Sequence, residues 1–257
     1  MPATFELSVA ALDILGRQMG VNLHQEPLEI PSVAKSVEEQ RAIADAVWRT
    51  LYQQGLARNG RLDPDVESAL FALVRPEIAA SLILALQGGN SGTAARGGAT
   101  PRLSVAAVQR GQVVRFQLGR PNELVSGLLS IIPDSPPLPR FRPLSIPRED
   151  PKPAKSRDED ESYGGSIMVH TIPTTPAARD REALRRVRSL PTVRAGFLQV
   201  TGRNKATETI GWTDTRDGRY LIHPQRQSDG VIWDVYRAVD NRELANVIAT
   251  AISTVTR

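Results

Sequence analysis

The densest group of residues that could do chemistry lies in one stretch, W-T-D-T-R-D-G-R-Y-L-I-H-P, from Trp212 to Pro224. It contains two aspartates, two arginines and one of the three histidines in the chain. A carboxylate beside a histidine is a common general acid–base pair, and a nucleophile next to it would complete a hydrolytic site. The first question is therefore how the backbone presents these side chains.

The pattern around Asp217-Gly218 predicts a β-hairpin with these two residues as its turn. An Asp-Gly pair suits a type I′ turn, in which both central residues need a positive φ. Asp217 is then explained by turn chemistry, and the flanking Arg216 and Arg219 are expected to lie in water.

In this register Trp212 lies across from His223, and Asp214 is diagonal to His223 at the limit of side-chain reach. No serine shares that face, so a catalytic dyad has little support. Tryptophan and arginine are favoured at interfaces, which makes a binding surface or an ordinary edge hairpin the two remaining interpretations.

The rest of the chain offers few chemical motifs. There is no cysteine, which excludes disulfides and thiolate metal sites, and the three histidines are far apart in sequence. The glycine-rich residues 88–100 lack the lysine of a phosphate-binding loop, and no nucleophile-elbow motif is present. We expect no catalytic residue, no metal and no cofactor, although distant residues could still converge into a hydrolase.

Length and composition indicate the size of the domain and the location of the protein. The 257 residues can form one large domain or two halves, with a net charge of only +4. The N-terminus carries acidic residues within its apolar stretch, and no apolar run is long enough to span a bilayer. A cytoplasmic protein without membrane insertion is expected.

In the first half of the chain, residues 1–132, sequence patterns indicate where helices begin. Caps are expected at Ser8, Ser36 and Asp63, and a further helix is expected to begin at Pro121. Extended chain is predicted at 23–30, a strand at 78–86, a loop at 88–100, and a hairpin with the turn Arg110-Gly111.

Residues 133–176 hold ten of the nineteen prolines and a charged tract, so this segment is predicted to be a partly disordered linker. The second half, 177–257, begins with an arginine-rich helix, continues with four strands and ends in a helix that starts at Asp240. The arginine helix, 177–190, keeps nucleic-acid binding open as an alternative, but no aromatic residue lies among its arginines. A solvated face opposite Leu184, Val187 and Leu190 is the simpler interpretation.

Both halves thus share an order: helical material, antiparallel strands and a closing helix. This order predicts an α+β protein whose two halves are pseudo-duplicated and share one antiparallel sheet.

The ordered set of segments resembles the EspG family of ESX (type VII) secretion-associated proteins of actinobacteria. The resemblance rests on F-E-L-S-V-A-A-L-D-I-L at 5–15, R-L-D-P-D-V-E-S-A-L at 61–70, T-D-T-R-D-G-R-Y-L at 213–221 and W-D-V-Y-R-A-V-D at 233–240. It implies a central antiparallel sheet flanked by two helical bundles, with halves related by a pseudo-twofold axis.

The resemblance also implies a function. Members of the family are cytosolic chaperones that bind the helical tip of the PPE subunit in PE–PPE heterodimers and aid delivery for export. Their cargo-contacting loop between the second and third strands maps onto residues 88–100 here. The implied partner-binding residues are two in this loop and four on the sheet: Asn90 and Arg96, then Phe197, Trp212, Tyr220 and Trp233.

Overall fold

The computed structural model describes residues 4–86, 92–148, 176–226, 228 and 230–256. Within these residues the elements follow one another in this order: β1 (Thr4–Ser8), α1 (Val9–Met19), α2 (Val37–Gln53), β2 (Ala57–Arg58), β3 (Arg61–Leu62), α3 (Pro64–Val74), β4 (Ile78–Leu86), β5 (Thr93–Ala99), β6 (Ser104–Arg110), β7 (Val113–Gly119), α4 (Leu124–Leu129), β8 (Leu144–Pro147), α5 (Pro176–Arg188), β9 (Thr192–Thr201), β10 (Ile210–Thr215), β11 (Arg219–Arg226), β12 (Ile232–Ala238) and α6 (Asn241–Thr256).

Ten of these strands form one antiparallel sheet in the order β1-β7-β6-β5-β4-β9-β10-β11-β12-β8. Strands β4 and β9 pair at its centre, with Ile83 opposite Phe197. Each of these two strands begins a four-stranded meander, β4 to β7 and β9 to β12, and each meander is followed by an outer edge strand from earlier in the chain, β1 and β8 respectively. The pseudo-twofold arrangement of an α+β fold, expected from the sequence, is confirmed.

The predicted helix caps are formed by local hydrogen bonds. Ser8 Oγ accepts from the backbone N–H of Ala11 at 3.0 Å, and Ser36 Oγ accepts from that of Glu39 at 3.1 Å. Asp63 caps α3 through the N–H of Asp65 at 2.9 Å. Each bond satisfies an N–H that the first helical turn leaves without a partner.

The strand register shows which helices cover which face of the sheet. Val105, Ala107, Val114 and Phe116 form the first core cluster with α1, α2 and α3. On the opposite face, α4 and α6 cover the centre of the sheet in a second cluster that includes Leu82, Leu198 and Trp212. A third cluster lies under α5 and the edge strand β8, around Leu144, Leu184, Tyr220 and Tyr236.

Alternation along paired strands places the first and third clusters on the same face of the sheet. Cross-strand partners on this face run from Phe197 to Gly211, then to Ile222 and to Tyr236. Between α1–α3 and α5, the middle of this face has no helix over it in the described part of the chain. We call it the open face.

Several sequence-based element predictions need correction. Residues 23–30 form an irregular segment, whereas most of the predicted loop 88–100 is strand β5. The first hairpin turns at Gly111-Gln112, because Arg110 still pairs with Val113. Gly111 has φ 57°, which the turn requires. Val105, Ala107, Val114 and Phe116 still face the core, as the predicted turn would also have placed them, since moving the turn by one residue shifts the pairing by two and preserves alternation.

The proline-rich segment contributes structure in its first part. Residues 144–147 form β8, which pairs with β12, and Leu138 is buried in the third cluster. An edge strand tolerates neighbouring prolines because one side of its backbone needs no ladder partner. Residues 149–175, which include the charged tract after Arg148, lie outside the described residues.

Candidate partner-binding surface

The residues that suggested a catalytic cluster form a buried ion-pair network. Arg219 is fully buried and Asp214 is 2% exposed. The Arg219 guanidinium donates to Asp214 from Nε to Oδ1 at 2.6 Å and from Nη2 to Oδ2 at 3.1 Å. Arg194 Nε donates to the same carboxylate at 2.9 Å. The carboxylate is therefore held by two arginines, and the prediction that Arg219 lies in water is wrong.

This network also explains why the hairpin turn differs from the prediction. Asp214 pairs directly with Arg219, so the connection is the longer loop Thr215–Gly218, and Asp217 has no positive φ. The backbone of Arg219 donates to Pro136 O at 2.7 Å and its carbonyl accepts from Leu138 N–H at 2.9 Å. Because residues 136–138 pack against Gly218 and pair with Arg219, the tight type I′ turn gives way to a wider loop.

His223 takes no part in this network. It lies on β11 opposite Val235, and burial together with the nearby Arg237 lowers its pKa below the ordinary histidine value. In the described ranges no group of three or more acidic or histidine side chains is placed to hold a metal ion. The geometry of the stretch from Trp212 to Pro224 is thus that of a structural hairpin.

The structure places the predicted sheet residues at very different depths. Phe197 is 47% exposed on the open face, whereas Trp212 is 1% exposed and Tyr220 is 5% exposed. Trp233 is half-buried on β12 and, by alternation from Tyr236, lies on the face opposite Phe197. Asn90 lies outside the described residues.

Trp212 is buried because the protein's own helices cover it. Its ring lies in the second cluster beneath α4 and α6, directly against the backbone of Gly196. A Cβ at position 196 would lie 2.0 Å from the Trp212 ring, so only glycine fits there. Trp212 and Tyr220, which packs in the third cluster, cannot contact a partner without unpacking the core.

Arg96 belongs to a strand and has internal partners. Its Nη1 donates to the Glu26 carbonyl at 2.7 Å, and its Nε lies 3.4 Å from the Leu73 carbonyl at the end of α3. Burial lowers the pKa of this guanidinium from its ordinary value, and the nearby Glu26 carboxylate opposes that effect. Arg96 therefore joins strand, helix and loop, and the expectation that it extends from a loop toward a partner is not supported.

Ile83, which was not among the predicted site residues, pairs with Phe197 across the two central strands. Ile83 is 45% exposed and Phe197 is 47% exposed, and the two side chains are paired on the open face. We call Ile83 and Phe197 the apolar strip. The sequence did contain an indication, because the nine residues of β4 are nearly all apolar although only one face of the strand is fully covered.

A cleft of about 730 Å³ adjoins the apolar strip. Ile83 and Leu86 form part of its lining, together with Thr93 at the start of β5 and Gln109 near the end of β6. Pro27 and Glu29, from the irregular segment that follows α1, line the cleft as well. The open face thus combines an exposed apolar strip with a concave flank.

The comparisons with known proteins agree with this architecture. The model of the EspG family, ESX-1_EspG, matches residues 8–250.

This chain belongs to the EspG family.

Among solved structures, the fold is similar to that of EspG5, the type VII secretion system chaperone of Mycobacterium tuberculosis, solved in complex with the PE25–PPE41 dimer. The TM-score is 0.60 at 12% sequence identity, and the match covers 97% of this chain and 95% of that chain. A comparison with curated protein sequences finds no significant match. At this identity the structural similarity establishes the fold, which agrees with the family assignment.

In this EspG-family chain the arginine-rich helix α5 packs on the sheet through its apolar side. Leu184 is buried in the third cluster, and Val187 and Leu190 pack against it, as the simpler interpretation predicted. Arg185 and Arg186 lie near the Glu182 carboxylate, at 3.1 Å and 3.6 Å, and Arg188 donates to Tyr236 Oη at 2.8 Å.

Among the described residues, no helix is both long enough and apolar enough to cross a membrane.

Proposed function

We propose that this chain is a cytosolic chaperone of type VII (ESX) secretion that binds the helical tip of the PPE subunit in a PE–PPE heterodimer. By covering an apolar patch of the client, it would keep the client soluble and aid its delivery for export. The observation that carries the proposal is the apolar strip, exposed at the centre of the sheet in a chain of the EspG family.

The strip is unusual for a sheet centre. Helices normally cover the apolar face of a sheet, and here α1–α3 and α5 cover this face only toward its two sides. Ile83 and Phe197 are therefore nearly half exposed where a core would be expected. Contiguous apolar surface of this kind marks sites of protein association.

The chemistry of the open face suits a helical partner. An amphipathic helix laid on an apolar groove buries side chains spaced at i, i+3, i+4 and i+7, and needs no unpaired strand edge. The strip supplies the apolar floor, and the cleft beside it supplies one concave flank. Support for a PE–PPE client comes from EspG5, which was solved bound to the PE25–PPE41 dimer.

The proposed contact residues differ from those suggested by the resemblance alone. Phe197 is retained, and Ile83 is added, whereas the buried Trp212 and Tyr220 are left out. Trp233 lies on the other face of the sheet, so it is not part of the same contact. Asn90, in the stretch between β4 and β5, stays a prediction.

The proposal assigns no enzymatic activity to the chain, because the candidate catalytic carboxylate between Trp212 and Pro224, that of Asp214, belongs to an internal ion-pair network. A cytosolic location follows from the proposed task, because the client must be bound before it is exported.

Co-expression with the PE–PPE pair encoded nearest to this chain in its own genome tests the proposal. We expect one chain to co-purify with one heterodimer on size-exclusion chromatography, and the soluble fraction of the pair to increase. If none of the PE–PPE pairs of the host forms such a complex and none becomes more soluble, the proposed function is wrong.

A further inference from the structure

Residues 22–33, between α1 and α2, form no regular secondary structure, yet they are closely held against the sheet. Leu23, Leu28 and Ile30 are buried in the first cluster, at 0%, 5% and 4% exposed. Between these anchors, Pro27 and Glu29 line the cleft beside the apolar strip. Buried and cleft-facing side chains alternate here, so the central part of the segment, residues 25–30, forms one side of the cleft. We call residues 25–30 the wall.

Side chains of the sheet bind the main chain of the wall, in place of the hydrogen bonds that a paired strand would make. Gln109 on β6 forms a two-point contact with the main chain of Glu29. Its Oε1 accepts from the Glu29 N–H at 2.7 Å, and its Nε2 donates to the Glu29 carbonyl at 2.8 Å. One carboxamide thus provides the donor and the acceptor that a neighbouring strand would otherwise supply.

A second attachment point lies three residues earlier. The Glu26 carbonyl accepts from Arg96 Nη1 at 2.7 Å and from Ser81 Oγ at 3.2 Å. Ser81, Arg96 and Gln109 come from the three neighbouring strands β4, β5 and β6. Because these residues all bind main-chain atoms, the sheet fixes the backbone path of the wall, while Leu28 and Ile30 anchor its side chains in the first cluster.

We infer that residues 25–30 are a preset wall of the client cleft and that Gln109 is a positioning residue for client binding. This inference rests on the proposed function. A wall ordered before the client arrives leaves less conformational entropy to be lost on binding, and this is the general advantage of a preorganised site.

Replacing Gln109 with alanine removes both contacts to Glu29 and leaves the apolar anchors in place. Gln117→Ala is the matched control, because Gln117 is an exposed glutamine on the adjacent strand β7, away from the wall. Two properties are measured for each variant: amide hydrogen exchange in residues 25–30 and affinity for a PE–PPE pair that binds the unmodified chain.

For Gln109→Ala we expect faster exchange of the Glu29 amide and client binding about five to ten times weaker, since the loosened wall must be reordered on binding. For Gln117→Ala we expect both properties to be unchanged. Ser81→Ala, which loosens the Glu26 attachment by removing one small hydroxyl, is expected to give the same pattern with a smaller effect. It also serves as the test if Gln109→Ala is poorly folded.

Two results would overturn the inference. If the wall loosens and client affinity stays within twofold of the unmodified chain, the wall is not used in binding. If affinity falls with no change in exchange, Gln109 contacts the client directly and does not act through the wall. Failure of the unmodified chain to bind any PE–PPE pair is a separate result, which would contradict the proposed function itself.

Discussion

Replacing Arg219 with methionine tests the role of the buried ion-pair network. In the structure the guanidinium donates two hydrogen bonds to Asp214, one to the Pro133 carbonyl at 2.8 Å and one to Asn241 Oδ1. Asn241 begins α6, and its own Nδ2 donates to Asp134 at 2.7 Å. Arg219 therefore connects the hairpin, the exit from α4 and the start of α6.

The expected cost follows from what the substitution leaves behind. Methionine fills similar space, but Asp214 then keeps only the bond from Arg194, and the Pro133 carbonyl loses its bond from the guanidinium. Removing one partner of a buried pair typically costs about 3–5 kcal/mol. Because Arg194 still neutralises Asp214, we expect the lower end of that range, about 3 kcal/mol.

Urea denaturation at neutral pH measures this change, provided that the slope of the transition is unchanged. Arg185→Met is the control, because Arg185 is 75% exposed and its ion pair with Glu182 lies at the surface. That control should shift the unfolding free energy by less than about 0.5 kcal/mol. A loss of less than about 1 kcal/mol for Arg219→Met would refute the view that this arginine holds the three elements together.

Two further predictions concern packing and pH. Gly196→Ala should destabilise the fold by about 1–3 kcal/mol in urea denaturation, because the new Cβ would meet the Trp212 ring. Gly211→Ala is the control. Its new Cβ would be 3.7 Å from the nearest atom, so this substitution should destabilise the fold clearly less. For Asp13, burial alone would raise the pKa, but hydrogen bonds from the Val33 N–H and from Arg17 bring it below the ordinary value. The stability that this carboxylate contributes is therefore present above a pH of about 4 and is lost as the pH falls through the lowered pKa. Thermal unfolding measured from pH 6 to pH 2 should show a steeper loss for the unmodified chain than for Asp13→Asn, and parallel curves would contradict the assignment.

The elements that could be predicted from the sequence are those decided by local interactions. The caps at Ser8, Ser36 and Asp63 depend on bonds that span two or three residues, so their patterns are visible in a short window. The closing helix begins with a reciprocal pair of the same kind between Asp240 and Glu243. The overall α+β order followed from these starts and from strand alternation.

The features that could not be predicted are those decided by residues distant in sequence. The turn at Asp217-Gly218 looked like a type I′ turn, but Arg219 is held by Pro133 and Asn241, which are far away in sequence. The burial of Trp212 depends on Gly196 and on α6, which is formed by residues that follow it by almost thirty positions. The exposure of Phe197 could be guessed from sequence, whereas its pairing with Ile83 required the register of β4 and β9.

The most direct test of the central claim is the affinity of a PE–PPE pair for Phe197→Asp. Val113→Asp is the control, since Val113 is an apolar strand residue of similar exposure, 40% against 47%, located on β7 away from the strip. Measured by titration calorimetry, Phe197→Asp should lose at least about tenfold in affinity, as expected for a central interface residue, while Val113→Asp should bind like the unmodified chain. Equal binding by both variants would contradict the proposal that the apolar strip is the client surface.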